Sequence, residues 1–453
     1  MKTPIFSKSR RKFIQTTTAG ALAAPFLLSA CKQDDGILQH ACIGVGGMGH
    51  HDLKQFISHP KVQVVAICDV DAERLKIASE LVPEARTYTD WRELLEKEAK
   101  NIESVNVAVP DHSHFSIAYT AIQKKKHVYC QKPMCHDVAE VRLLTEAAKK
   151  KGVMTQLGTQ HASSANDRAG VQLIKEQAIG KIKNVYLCSN RPSAVQYRLE
   201  GPRPSMKQDA PDYLNWDLWI GTAPMRSYAP EIYHPMKWRT WLDFGTGWSG
   251  DIGCHIFDAV WKGLDLHAPD NVIAKVQQSW QESPERQADT WPQSNHITWM
   301  FPGNKYTEKD QLQIEWFDGE FYPPQEVMDL FPGEKYPAES AMLVGTEGAL
   351  LIVHGGGLAL LPQEKFENYD KPKFGKRNHY HHYVDACLGG EKTESHFAQS
   401  GPMTEAILLG TVAIREPDTL LEWDAKNLKF TNNSNANKYL KRSYRKGWEM
   451  AGF

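Results

Sequence analysis

The chain has 453 residues, 41% of them hydrophobic, and a formal net charge of −1. That hydrophobic share can fill the cores of two or three domains. A near-neutral chain without a basic stripe excludes nucleic acid as a partner. Past Cys31 no apolar stretch is long enough to cross a bilayer. The remaining cysteines stand at 42, 68, 130, 135, 188, 254 and 387, with no Cys-x-x-Cys pair. Cys42 and Cys68 lie in apolar runs, where cysteine serves as a small buried hydrophobe.

The first element in chain order is a leader, residues 1–31. Lys8, Arg10, Arg11 and Lys12 form a positive start, and residues 19–28 an apolar stretch too short to span a membrane. The adjacent arginines, flanked by Ser9 and Phe13, resemble a twin-arginine leader. Leu28-Ser29-Ala30-Cys31 resembles a lipobox, in which cleavage leaves Cys31 as the lipidated first residue. Residues 32–36 read as a polar tether. The expected product is an exported lipoprotein, periplasmic or on the outer membrane, anchored through Cys31. Lys32, where an Asp would signal inner-membrane retention, favours the outer membrane.

Residues 37–158 are predicted to be a dinucleotide-binding domain. A strand over 38–45 runs into Gly44-Val45-Gly46-Gly47-Met48-Gly49, then a helix over 51–58 and a Val-rich strand over 62–68 that ends in Asp69. Strand, glycine turn, helix, strand and acid make the βαβ unit that holds NAD. Gly44 permits the tight turn, Gly46 admits the pyrophosphate, and Gly49 lets helix and strand pack. Gly47 and Met48 complete the loop at the helix N-terminus, where free N–H groups favour an anion. Asp69 is placed to accept from a ribose 2′-OH, which favours NAD; Arg74 nearby keeps NADP open. Helices over 72–81, 91–97, 116–124 and 138–150 alternate with strands over 104–109, 127–130 and 153–157. That alternation is the pattern of an α/β fold with a doubly wound parallel sheet. Ligands bind outside the carboxyl ends of such strands. Pro110-Asp111-His112-Ser113-His114 and Gln131-Lys132-Pro133 fall there, and Gln160 and His161 follow the last strand.

The pattern changes in residues 159–430. A helix over 167–178 and a strand over 182–189 precede an aromatic-rich excursion over 192–245. Strands then follow over 273–278, 296–301, 311–317, 341–344 and 348–353. Few helices intervene, so an α+β domain with an open, mostly antiparallel sheet is expected. Residues 431–453 form a polar tail, read as a docking arm. Within the domain, Trp248 to Asp258 opens a helix on which Asp251 and His255 share one face. A carboxylate there can fix an imidazole's tautomer and make it a general acid/base, and Asp258 can serve in the same way. Aromatic rings of the excursion can stack on sugar faces, with Tyr233, His234, Lys237 and Arg239 as polar pocket residues. His379, His381 and His382 are too crowded for a usual metal site, so no metal is expected.

These motifs together resemble the Gfo/Idh/MocA family of NAD(P)-dependent sugar and cyclitol oxidoreductases. The family shows a glycine fingerprint, a strand-end Pro-Asn-x-x-His, a Glu-Lys-Pro and an Asp-x-Gly-x-His. Here they read Gly44/Gly46/Gly49, Pro110-Asp111-x-x-His114, Gln131-Lys132-Pro133 and Asp251-x-Gly253-x-His255. Asp111 replaces Asn and Gln131 replaces Glu. The resemblance covers residues 37–430. It implies cofactor contacts at Pro110, Asp111, His114, Gln131, Lys132 and Gln160, and a homo-oligomer paired through the open sheet.

It further implies hydride exchange between NAD and a secondary alcohol of a sugar, glycoside or cyclitol. His255 would exchange the hydroxyl proton, Asp251 orient it, and Lys132 stabilise charge on the reacting oxygen. An exported enzyme has no soluble NAD pool, so a tightly held NAD, reused in a ping-pong or redox-neutral cycle, is expected. The family also holds NAD-dependent glycosidases, which act by oxidation and elimination. The contrasting reading is a non-catalytic sugar-binding lipoprotein. Gln131 supports it, and the joint retention of Lys132, Asp251 and His255 opposes it.

Overall fold

The computed structural model describes residues 36–191, 199–203, 205–333, 335–450 and 452–453. The leader and lipobox with Cys31, and residues 32–35 of the tether, lie outside the described residues. No described helix is long and apolar enough to cross a membrane.

Six strands build the first sheet: β1 (Leu38–Ile43), β2 (Val62–Cys68), β3 (Arg86–Tyr88), β4 (Ser104–Val107), β5 (His127–Cys130) and β6 (Thr155–Leu157). Their order is β3-β2-β1-β4-β5-β6, and every pairing is parallel. The helices between them are α1 (Met48–Ile57), α2 (Ala72–Ser79), α3 (Trp91–Lys97), α4 (Asp111–Gln123) and α5 (Val138–Lys151). Side chains stop the chain at several of these ends. Asp71 caps α2 by accepting from the Glu73 and Arg74 amides, and Asp137 caps α5. The order reverses direction between β1 and β4, the place where a doubly wound sheet opens a crevice. Gly44 and Pro110 follow the two strands that border it, and Gln131 follows β5, the next strand beyond β4.

The second sheet has nine strands: β7 (Ile182–Ser189), β8 (Asn271–Val276), β9 (Asn295–Pro302), β10 (Gln311–Asp318), β11 (Glu339–Gly345), β12 (Ala349–Val353), β13 (Leu358–Leu361), β14 (Leu421–Asp424) and β15 (Lys429–Phe430). Their order is β13-β12-β11-β7-β10-β9-β8-β14-β15. All pairings are antiparallel except β7 with β10, which is parallel. The long excursion after β7 returns the chain in the same direction, which hairpin connections alone would not produce. Four longer helices accompany this part: α6 (Ala165–Lys175), α7 (Gly247–Gly263), α8 (His379–Cys387) and α9 (Phe397–Ile414).

Two segments cross back to the first sheet. Tyr380, Tyr383 and Val384 of α8 share a buried cluster with Leu53, Phe56 and Tyr129. The tail lies along α5, where Arg442 and Tyr444 both reach Glu140, and the Ala139 amide donates to Leu440.

Candidate active site

The glycine turn is built for close approach. A Cβ on Gly44 would stand 2.1 Å from the Ala108 carbonyl oxygen, and one on Gly49 would stand 2.0 Å from the Gly44 oxygen. No side chain caps α1; the Gly49 amide donates to the Gly46 carbonyl at 2.9 Å. Both Asp69 oxygens already accept from backbone amides, Val45 at 2.8 Å and Asp71 at 3.0 Å. Burial raises the Asp69 pKa, and those two bonds oppose it. The Arg74 side chain lies over Gly46, where a Cβ would meet its Cδ at 2.4 Å. A glycine turn, a helix start with no side-chain cap and the Arg74 cation beside the loop fit a dinucleotide's pyrophosphate.

At the next strand end, Pro110 precedes α4 and Asp111 begins it. Both His114 ring nitrogens lie against carbonyl oxygens, Pro133 at 2.6 Å and Val109 at 2.7 Å. Burial lowers its pKa to about 4, so the neutral ring donates to one carbonyl at a time and ties two strand ends together.

Gln131 donates its amide to both oxygens of buried Asp52, 2.9 Å each. Tyr380 donates to the same carboxylate at 2.7 Å, and Gln160 donates to the Tyr129 and Tyr380 hydroxyls at 3.2 Å. Burial pushes Asp52 up to about 6. The residue that replaces the family's Glu thus faces a carboxylate supplied by α1. Nothing in the local sequence marked Asp52. The lost charge at position 131 was the available signal that an acid stands elsewhere.

The chemical centre joins the two parts of the chain. Lys132 Nζ donates to Asp251 Oδ1 at 2.8 Å and to the Asp251 carbonyl at 3.2 Å. Arg239 Nε lies 3.5 Å from the other carboxylate oxygen. Burial alone would raise the Asp251 pKa, but Lys132 and Arg239 together bring it below the ordinary value. Asp111 is buried beside them and accepts from Thr246 Oγ1 at 3.0 Å and the Thr246 amide at 3.2 Å. Burial first, and the Asp251 charge second, push Asp111 up to about 8. At neutral pH it is therefore a neutral acid, with one donor and one acceptor, like the Asn it replaces.

His255 corrects an expectation. It lies one turn beyond Asp251, yet no hydrogen bond joins them, because Lys132 and Arg239 hold the carboxylate. His255 Nδ1 is buried without a partner. Its ring instead packs 4.9 Å from that of His354, which lies 4.4 Å from His161. Burial, then the charge of Lys132, takes the His255 pKa well below its ordinary value. No hydrogen bond joins Asp258 to His255 either; Lys262 donates to Asp258 Oδ2 at 2.6 Å.

The excursion corrects a second expectation. Tyr233 is 1% exposed, in an aromatic cluster with Trp219, Tyr228, Trp238, Trp241 and Phe244. His234 points to Asp71 at 3.0 Å, and Arg239 stacks on Trp238 at 4.2 Å. Of the expected pocket residues, Arg239 is brought to Asp251, while Tyr233 is spent on packing and His234 on Asp71, the cap of α2. A cavity of about 20 Å3, lined by Arg239, Trp248, Asp251 and Trp291, adjoins it. Among the described residues no group of three His, Cys, Asp or Glu is placed to hold a metal ion.

Two family models match the chain, an oxidoreductase NAD-binding Rossmann fold over residues 38–159 and an oxidoreductase C-terminal alpha/beta domain over residues 172–301. Together they take in more than half of the chain. The chain belongs to the Gfo/Idh/MocA oxidoreductase family. Its first domain is an NAD-binding Rossmann domain, and NAD is its cofactor. The inositol 2-dehydrogenase of Salmonella typhimurium is 31% identical over 124 residues, 27% of this chain and 36% of that protein. The chain thus matches about a third of the length of such curated relatives. The fold is similar to the WlbA dehydrogenase of Bordetella pertussis, solved with NADH and UDP-GlcNAcA, at a TM-score of 0.59 and 15% identity over 86% of this chain and all of that one. It is also similar to an inositol dehydrogenase homolog of Azotobacter vinelandii, solved with NADH and myo-inositol, at 0.57 and 14% over 85% and 98%.

Proposed function

We propose that the protein exchanges a hydride between NAD and a secondary alcohol of a polyol, sugar or glycoside. One observation carries this reading: the Lys132–Asp251 ion pair, with a neutral His255 whose Nδ1 is unpartnered one turn away, at the same carboxyl edge of the parallel sheet as the glycine turn. NAD, when bound, supplies the hydride acceptor. Asp251 holds the Lys132 ammonium, which donates to the reacting oxygen and stabilises charge as it develops there. His255 takes the hydroxyl proton, and its lowered pKa keeps it able to do so on the acid side of neutrality. The carbon that loses the hydride becomes a ketone, and the reverse sequence reduces it.

The relatives named for inositol 2-dehydrogenase and levoglucosan dehydrogenase activity support this substrate class. The leader supports export, a lipid anchor at Cys31 and an NAD that stays with the protein. The open second sheet supports a homo-oligomer.

The test is deuterium exchange at substrate carbons across a panel of cyclitols and glycosides, with wild-type protein and with Lys132→Met and His255→Asn. Exchange lost in both variants is expected. Near-normal exchange in His255→Asn would remove it from the role, and no exchange in wild type would favour a sugar-binding protein. Release of free sugar from a glycoside, without net NADH, would identify the oxidation and elimination variant. Mass spectrometry of the denatured native protein should find NAD. A Cys31→Ala protein that stays on membranes after a salt wash would refute the anchor.

A further inference from the structure

Trp291 walls two cavities. One is the small space at Asp251; the other measures about 360 Å3, within the range of small-molecule sites. The larger cavity lies where the tail passes the end of α9 and the start of α5. Arg415, Lys438, Lys441 and Arg442 line it. Two carboxylates also line it, but both are engaged: Asp137 by Arg442 at 3.5 Å and Asp243 by Arg226. Arg442 is further held by Glu140 at 2.9 Å. Arg415 has no such counterpart. Its guanidinium stacks on Tyr439 at 3.9 Å, and among the described residues no carboxylate forms an ion pair with it. Lys438 donates to the neutral Asn435 amide oxygen, and Lys441 rests on the Phe453 ring. Among the described residues none of these three cations forms an ion pair, and Glu416 beside Arg415 acts on it through its charge alone.

A second group gives the ligand more definition. His136 also lines the cavity, and its Nδ1 is buried without a partner. Its Nε2 lies 2.9 Å from the Leu242 carbonyl oxygen. Burial keeps the ring neutral, so Nε2 carries the proton and donates, and Nδ1 presents a lone pair. A lone pair calls for a donor, not for an anion.

We propose that this cavity is a second ligand site, separate from the hydride-transfer centre, for a hydroxylated anion of sugar-acid or sugar-phosphate size. Its carboxylate or phosphate binds Arg415 with help from Lys441, and a ligand hydroxyl donates to His136 Nδ1. The assignment does not rest on the reaction proposed above. Trp291, shared by both cavities, gives occupancy a direct route to the wall beside Asp251.

The experiment is calorimetric titration of the full-length protein saturated with NAD, so that the glycine turn is filled. The probes are glucose 6-phosphate, gluconate and inorganic phosphate at matched ionic strength. Saturable binding of one sugar anion is expected, weakened roughly tenfold or more by Arg415→Gln and by Lys441→Gln, and partly kept in Arg415→Lys. Lys441 is exposed, so its variant tests the site without disturbing the core. Inorganic phosphate that binds as tightly as both sugar anions would overturn the hydroxyl assignment at His136. Binding unchanged in folded Arg415→Gln and Lys441→Gln, or no saturable binding of any probe, would overturn the site.

Discussion

Replacing Asp111 by Asn should stabilise this protein, and by an amount that depends on pH. The Asp111 carboxyl has its pKa raised from 3.8 to about 8, so at pH 7 it is protonated in the fold and ionised in the unfolded chain. The fold then binds up to one proton more than the unfolded chain between about pH 4 and pH 8, and stability falls as pH rises through that window. The slope is at most about 1.4 kcal/mol per pH unit, which gives about 4 kcal/mol at pH 7 as an upper limit. Asn is neutral in both states and escapes this loss. Its side-chain oxygen can still accept from Thr246, and its amide replaces the acid O–H. We expect Asp111→Asn to gain roughly 2 to 4 kcal/mol over wild type at pH 7, with the gap shrinking toward pH 4. The assay is the urea midpoint of both proteins at about pH 5, 7 and 8.5. Buried Asp52 and Asp167, raised to about 6 and about 7, titrate in both proteins and cancel in the difference. Parallel curves, or an Asn variant less stable than wild type at the highest pH, would refute the reasoning.

Other perturbations follow from the same geometry. Lys132→Met should cost about 3 kcal/mol by leaving buried Asp251 with Arg239, 3.5 Å away, as its remaining cation, while Lys132→Met with Asp251→Asn should cost much less than the two single losses added; additive urea-unfolding losses would count against the pair. Gln131→Glu sets two buried carboxylates face to face and should lower the melting temperature more at pH 8 than at pH 5, where the two share a proton. Adding Asp52→Asn should recover it, and a neutral Gln131→Glu would disprove the charge exchange. Gly47→Ala has open space around its Cβ and a φ of 50°, so it should cost about 1 kcal/mol. Gly44→Ala collides with the Ala108 carbonyl and should cost several times more while abolishing NAD binding by calorimetry; equal effects would contradict the close packing.

Much of the first domain was legible because its signals are local. The glycine turn, Asp69 and the polar strand ends each occupy a few contiguous residues, and a parallel sheet follows from strands alternating with helices; β3, three residues long, was not among the five strands read. The second part was harder for identifiable reasons. Helix α9 escaped notice because it is buried on nearly every side, and without an exposed face it shows no 3.6-residue polar rhythm. Strands β13, β14 and β15 are short, and their pairing is set by neighbours distant in the chain. The aromatic excursion was read as rings that can stack on sugar faces. The rings stack on one another, as Trp216 and Trp219 do at 4.7 Å, because the excursion has no other core to bury.

The sequence by itself determined which groups are present at the site: Lys132 at a strand end, Asp251 and His255 on one helix face, and a glycine turn for the cofactor. Each depends on backbone geometry within one or two elements. Only the tertiary structure decided how those groups pair. Asp251 has His255 four residues away but takes Lys132, 119 residues away in the chain. Gln131 finds its acid on α1, and Asp111 is kept neutral first by burial and then by the charge of Asp251 from another element. In a buried site a carboxylate pairs with the strongest cation that packing delivers, because an unmatched charge there costs several kcal/mol. That cation comes from the folding of distant segments, which no local motif records.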